Sequence, residues 1–327
     1  MFAVGCLCVV DVIDSGYGLR VSRADVEFLS GDAGSGARRD ACRGWLYLPE
    51  SRQPAPIMVM AHGLGAVKEM RLDAFAERFC DAGYACLVFD YRHFGASDGR
   101  PRQLLSIKRQ LEDWAAAIAY ARTVPQVDHG RVVLWGTSFG GGHVMVAGAR
   151  DGRVSAVIAQ CPFTDGLAST LALDPVSALK VTSRAVVDLA SSALGRGPVT
   201  VGLAGVGHEA ALMTAPDVVD GYLPLIPDGQ SFTNEVAARI GLSIPFHRPG
   251  RALQHITCPV LVCVCDRDTV APPRPTVRFA RQGPTTQFIR YPQGHFDIYR
   301  GEAFEEVVAD QVDFLDRVVP LPDQGPS

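Results

Sequence analysis

At 327 residues the chain is long enough for one large domain or two modest ones, and with 47% apolar and 20% charged residues it has the composition of a folded globular protein. A formal net charge of −4 with no basic face to neutralise phosphates argues against nucleic acid as a partner. No apolar run reaches the roughly 18 residues that cross a bilayer, and no basic stretch precedes the apolar start, so a cytoplasmic protein without signal peptide or membrane span is expected.

Residues 1–19 read as a poorly defined tail. Strands are then expected over residues 26–29, 43–48, 57–61, 85–90, 131–135 and 154–160, and later over 259–265 and 286–291. The third to seventh are nearly all apolar, the pattern of strands covered on both faces. Helices fill the gaps at 68–82, 103–123, 139–150 and 302–318. In the second of these, Leu104, Ile107, Leu111, Trp114, Ile118 and Ala121 recur at three or four residues and mark a buried stripe. Such alternation points to a mainly parallel α/β sheet.

The alternation breaks for roughly ninety residues, far more than a plain loop spans. This segment holds a helical stretch at 176–194, a Gly-rich piece, a Pro-rich piece and a short helix expected at 233–240. The reading is therefore a core of residues 20–162 and 253–319, a mainly helical cap of residues 163–252, and a frayed tail at 320–327. Nine cysteines show no metal-ligand spacing. Cys86, Cys258, Cys263 and Cys265 lie in or beside apolar runs, where a free thiol acts as a small hydrophobe. No metal and no cofactor are expected.

GTSFG, residues 136–140, follows a strand and opens a helix, which is the context a nucleophile elbow demands of G-x-S-x-G. The turn is too sharp for side chains two residues either side of Ser138, and the helix N-terminus favours negative charge there. A serine hydroxyl needs a base, and the base an orienting acid. Downstream, CDRDTVAPP places two aspartates after a strand, and YPQGHFDIY places His295 after the next. Asp268 is taken as the acid, with Asp266 shaping the loop and Asp297 pairing locally. The oxyanion donors are expected to be the amide of Phe139 and, from the HGLG loop at 62–65, the amide of Leu64, with His62 holding the turn.

HGLG, DYRHFGASDG, GTSFGGG, CDRDTVAP and GHFDIY occur in this order and together resemble the α/β-hydrolase superfamily. The segment from Asp90 to Gly99 is similar to the branch with dienelactone-hydrolase-like and X-prolyl-peptidase-like enzymes. The resemblance implies an α/β-hydrolase fold with an eight-stranded, mostly parallel sheet, the second strand antiparallel. It also implies a cap inserted between strands six and seven and a Ser138–His295–Asp268 triad. Leu64 stands where X-prolyl peptidases usually supply a tyrosine to the oxyanion, which counts against a peptidase.

The expected reaction is cleavage of an ester or thioester through an acyl-enzyme, on a small-molecule substrate with a medium or large apolar acyl group. Tyr222, Leu223, Leu225 and Ile226, in GYLPLIP, are expected to line its entrance. An acyltransferase, an eliminating lyase and a non-catalytic ligand-binding protein remain as alternatives, and a homodimer is left open.

Overall fold

The apolar runs become the centre of one twisted sheet. The computed structural model describes residues 8–14, 20–31, 39–51 and 53–321. Its strands are β1 (Cys8–Asp14), β2 (Arg20–Ser30), β3 (Asp40–Leu48), β4 (Ala55–Ala61), β5 (Ala85–Phe89), β6 (Val127–Thr137), β7 (Ala156–Gln160), β8 (Thr200–Ala204), β9 (Ala211–Met213), β10 (Glu235–Ala237), β11 (Val260–Cys265) and β12 (Thr286–Tyr291). Its α-helices are α1 (Leu72–Asp81), α2 (Ile107–Ala121), α3 (Phe139–Asp151), α4 (Gly166–Ala172), α5 (Pro175–Ala193), α6 (Val218–Tyr222), α7 (Pro273–Ala280) and α8 (Gly301–Val318).

The main sheet has the order β1-β2-β3-β5-β4-β6-β7-β11-β12. From β5 to β12 all neighbours are parallel, and β3 runs antiparallel to both β2 and β5. The eight expected strands are all present, in an α/β-hydrolase order. Every residue of β4, β5, β7 and β11 is buried, which is why these runs carry no polar alternation. A ninth strand lies within the expected N-terminal tail. Residues 8–14, rich in β-branched side chains, pair with β2 from Cys8↔Asp25 to Asp14↔Arg20. The rest of that tail, residues 1–7 and 15–19, lies outside the described residues, as do 322–327 of the C-terminal one. Of the latter, Pro320 accepts a 2.7 Å hydrogen bond from Arg131 Nη1, and Leu321 packs on the core.

Helix boundaries differ from expectation where side chains claim the backbone. The first helix starts at Leu72 rather than Lys68, because the Lys68 amide and ammonium both bind Asp90, at 2.8 and 2.9 Å. The second starts at Ile107, where Ser106 Oγ accepts the Arg109 amide as an N-cap.

The insertion between β7 and β11 is mainly helical and also carries a second sheet, of order β10-β8-β9. Strand β8 lies in the Gly-rich piece. The helix expected at 233–240 is instead β10 followed by a 3₁₀ turn at Ala238–Leu242. A run so short fits either period, and pairing of Val236 with Val201 decides it. Cys86, Cys263 and Cys265 are buried free thiols, and Cys258 is half-buried.

A buried polar relay joins α8 to the carboxyl ends of β6 and β7. Trp135 Nε1 donates to Gln311 Oε1 at 2.9 Å, and Gln311 Nε2 donates to Gln160 Oε1 at 2.8 Å. The Gln160 carbonyl in turn accepts the Ser138 amide at 2.9 Å.

Candidate active site

Ser138 stands between β6 and α3 with φ 56° and ψ −119°, in a region that costs a non-glycine residue strain. The turn is tight on every side. A Cβ on Gly140 would lie 2.5 Å from the His62 carbonyl oxygen, and one on Gly63 would lie 2.8 Å from the Ser138 Cβ. These two glycines therefore let the HGLG loop approach the serine closely. The Ser138 carbonyl accepts the amides of Gly142 at 3.2 Å and Phe163 at 2.8 Å, which hold the strained conformation.

The loops after β11 and β12 meet at this turn. They are tied together by the Asp266 amide on the Tyr291 carbonyl, 2.8 Å, and the Arg267 amide on the Gln293 carbonyl, 3.0 Å. His295 Nε2 lies 3.0 Å from Ser138 Oγ, and His295 Nδ1 lies 2.6 Å from Asp268 Oδ2. The second oxygen of Asp268 accepts the amides of Val270 at 2.8 Å and Ala271 at 2.6 Å, which fixes the carboxylate plane. Both His295 and Asp268 are buried. Asp266 instead pairs with the exposed Arg290 at 2.8 Å, and Asp297 Oδ2 accepts the Gly294 amide at 2.7 Å, shaping the histidine loop.

Burial by itself pushes the His295 imidazole pKa down. The Asp268 carboxylate beside it, with the Cys161 thiol also close, outweighs burial and holds it well above the ordinary 6.5. His62 has the opposite fate. Burial pushes its pKa down to about 4, so it is neutral near pH 7. Its Nδ1 accepts the Gly63 amide at 2.7 Å and its Nε2 donates to the Met70 carbonyl at 2.9 Å. Both ring nitrogens of His62 are thus occupied with backbone, which braces the HGLG turn.

Leu64 and Phe139 both line the space around Ser138. The Phe139 amide, in the first turn of α3, has no intrahelical acceptor to satisfy it. The loop that carries Leu64 is braced from three sides. Tyr222 of the insertion donates its hydroxyl to the Leu64 carbonyl at 2.9 Å, His62 holds the turn, and the buried Lys68–Asp90 ion pair anchors the far end at 2.9 Å. Sequence reasoning passed over the Tyr222 and Lys68 contacts. Asp90 was within reach, since it opens the DYRHFGASDG segment; nothing in the sequence marks the Tyr222 hydroxyl as a brace.

Above Ser138 opens a cleft of about 910 Å³, solvent at its open mouth included. Phe163, Leu173, Val181, Leu212, Met213, Ile244 and Val270 give it an apolar lining, with no charged side chain among the described residues. Its walls come from α4, α5, β9 and the segment at 241–245. A far smaller pocket beside His295 is lined by Tyr222 and Leu225, together with Met213 and Phe296. Leu223 and Ile226, expected at the entrance, line neither space. A 3₁₀ turn at Leu223–Leu225 buries Leu225, whereas Leu223 and Ile226 are partly buried against the core. Among the described residues, Cys161, Asp268 and His295 bring ligand-type atoms within 4.8 Å of one another, but Asp268 and His295 are already hydrogen-bonded to each other.

Chemically, the arrangement can deprotonate the Ser138 hydroxyl as it attacks a carbonyl. The family model described as serine aminopeptidase, S33, matches residues 52–303. The quorum-quenching protein AidA of Acinetobacter baumannii (strain MDR-ZJ06) is 54% identical over 297 residues, which is 91% of this chain and 95% of AidA. A thiohydrolase of Eupenicillium brefeldianum is 28% identical over 284 residues, covering 84% of this chain and 89% of its own. Among solved structures, the alpha/beta hydrolase GrgF from Penicillium sp. sh18 superimposes with a TM-score of 0.76 at 27% identity, covering 90% of this chain and 98% of GrgF.

Proposed function

Because this chain belongs to the serine aminopeptidase S33 family of α/β hydrolases, we propose that it is a serine hydrolase cleaving an ester or thioester of a medium or large apolar acyl group. Ser138 Oγ attacks the acyl carbon while His295 Nε2 takes its proton. Asp268 holds the imidazole tautomer and stabilises the imidazolium. The amides of Leu64 and Phe139 receive the oxyanion, each such donor being worth about 3 kcal/mol in the transition state. The leaving alcohol or thiol departs with the proton from His295. Water, deprotonated by the same nitrogen, then attacks the acyl-enzyme and releases the acid.

The observation that carries this reading is the hydrogen-bonded line from Ser138 through His295 to Asp268, at 3.0 and 2.6 Å, with the serine on a strained elbow. The apolar, uncharged cleft supports an acyl substrate. Among the described residues its lining holds no carboxylate for the ammonium of a peptide N-terminus, and the relation to a thiohydrolase supports thioesters within the class.

A panel of esters and thioesters graded from acetyl to long acyl tests it. Turnover peaking at medium or long chains, and lost by Ser138→Ala, is expected. A preference for acetyl contradicts the apolar entrance, and full turnover by Ser138→Ala contradicts the nucleophile. Product analysis with an added alcohol or amine separates hydrolysis from acyl transfer. We also propose a quorum-quenching role, carried by the 54% identity to AidA. The wild-type protein, and not Ser138→Ala, should then silence a quorum-sensing reporter strain.

A further inference from the structure

Exposed apolar residues concentrate on one helix of the insertion. Helix α5 buries Ser177, Val181, Ala185 and Asp188, and Asp188 is fixed there by Arg239 at 2.6 Å. The opposite side of the helix carries Val176, Leu179, Ser183, Val186, Ala190 and Ala193, all of them exposed. Leu179 is 69% exposed, and Val187 and Leu194 beside this row are 56% and 69% exposed. No charged side chain stands in the row. The cations that flank it are engaged with carbonyls of their own chain: Lys180 donates to His208 at 2.7 Å and Arg184 to Thr200 at 2.9 Å.

A surface helix ordinarily turns its apolar stripe inward and its polar side outward. Here the buried Asp188–Arg239 pair locks α5 with an apolar row outward. The row recurs at alternating steps of three and four residues, the spacing of a seam against another helix. It also complements itself. Laid antiparallel on a second α5, Leu179 meets Ala190 of the partner subunit, Val176 meets Ala193 of the partner subunit, and Val186 meets Ser183 of the partner subunit. Each level sets a large side chain against a small one. Leu167 and Leu171 of α4, joined to α5 through Leu173 and Asp174, are exposed as well. The apolar residues of the two helices leave on the order of 800 Å² uncovered, about what each partner gives to a standard stable interface and more than the largest patch on most monomers.

We propose that this face of α5 docks a second copy of the chain, forming a two-fold homodimer in which the two α5 helices pack antiparallel. A two-fold interface pairs one surface patch with itself, which is what the row is built to do. The same helix also carries Ala178 and Val181, which wall the cleft above Ser138, so the second copy sits behind that wall. A membrane surface fits less well. A helix lying in a bilayer interface lines its polar side with free cations and its apolar side with bulky residues. Half of this row is Ser or Ala, and both flanking cations are already engaged.

Light scattering on the full chain as it leaves a sizing column reads the assembly. At micromolar concentration the wild type should show twice the chain mass. Leu179→Glu sets a charge against Ala190 of the partner subunit and should weaken self-association about ten-fold or more, while keeping a cooperative melting transition because Leu179 is exposed in the single chain. The register has its own test. Leu179→Cys and Ala190→Cys combined in one chain should give a covalent dimer under mild oxidation, and neither substitution alone should, since the two positions lie about 16 Å apart along one helix. A monomeric wild type, a dimer that Leu179→Glu leaves intact, or a doubly substituted chain that stays unlinked overturns the proposal. A monomer that binds phosphatidylcholine vesicles, and loses them with Leu179→Glu, assigns the face to lipid and overturns it too. If Leu179→Glu gives no cooperative melting transition, the cysteine pair decides, cross-linking supporting the dimer and its absence overturning it.

Discussion

Tyr222, in the insertion between β7 and β11, donates its hydroxyl to the carbonyl oxygen of Leu64, in the loop after β4, across 2.9 Å. The insertion thereby grips the loop that carries Leu64, whose amide is the oxyanion donor proposed above. Tyr222→Phe leaves that carbonyl buried without its donor and frees the loop to drift from the serine. Because the oxyanion exists only in the transition state, kcat should fall about ten-fold with KM little changed. Steady-state kinetics on one thioester check this, and an unchanged kcat would show that the loop holds without the cap.

The pH profile should carry the mark of Asp268. Its carboxylate outweighs burial and keeps the His295 pKa well above 6.5. The imidazole works as a base only when neutral, so activity should be gained as pH rises through a value above 6.5. Asp268→Asn removes the raising charge and leaves burial as the main influence. The acid limb of kcat/KM should then move to lower pH, while kcat drops on the order of 10³–10⁴-fold. A limb that stays in place in the variant contradicts this assignment.

The Lys68–Asp90 pair predicts a stability effect rather than a chemical one. Both side chains are almost fully buried, and Asp90 also accepts the amides of Lys68 and Ala96. Asp90→Asn leaves the Lys68 ammonium without its buried counter-charge, with Glu69 as its remaining partner. Urea unfolding should record a loss of roughly 3 kcal/mol. A loss under about 1 kcal/mol would mean that Glu69 suffices.

Ala178 lies on α5 where the helix walls the cleft. Ala178→Phe should shorten the space for acyl chains. The preferred chain length should fall, with kcat/KM for the longest esters reduced about ten-fold or more relative to acetyl, since each methylene that no longer fits costs about 1–3 kcal/mol. An unaltered chain-length profile places the acyl group elsewhere.

Much of the core and the candidate triad could be read from the sequence because its constraints are local. Glycines flank Ser138 since a side chain at 140 would strike the His62 carbonyl. The strands read as unbroken apolar runs because the sheet is covered on both faces. The cap was less legible. Strands of three to five residues, such as β8, β9 and β10, are set by pairing with one another and leave no periodic trace. In the same way, GYLPLIP announces apolar character but not which of its side chains turn inward. Tyr222 and Leu225 line the pocket beside His295, and Leu223 and Ile226 do not. The Tyr222–Leu64 contact joins positions 158 residues apart, and no spacing rule reaches that far.

The central claim is covalent, and intact-protein mass spectrometry reads it directly. After brief incubation with a long-chain acyl ester and acid quench, the wild type should gain the mass of one acyl group, mapped by peptide fragmentation to Ser138. Ser138→Ala should gain none. An acyl group on any other residue, or one that persists in a folded Ser138→Ala protein, would contradict the account.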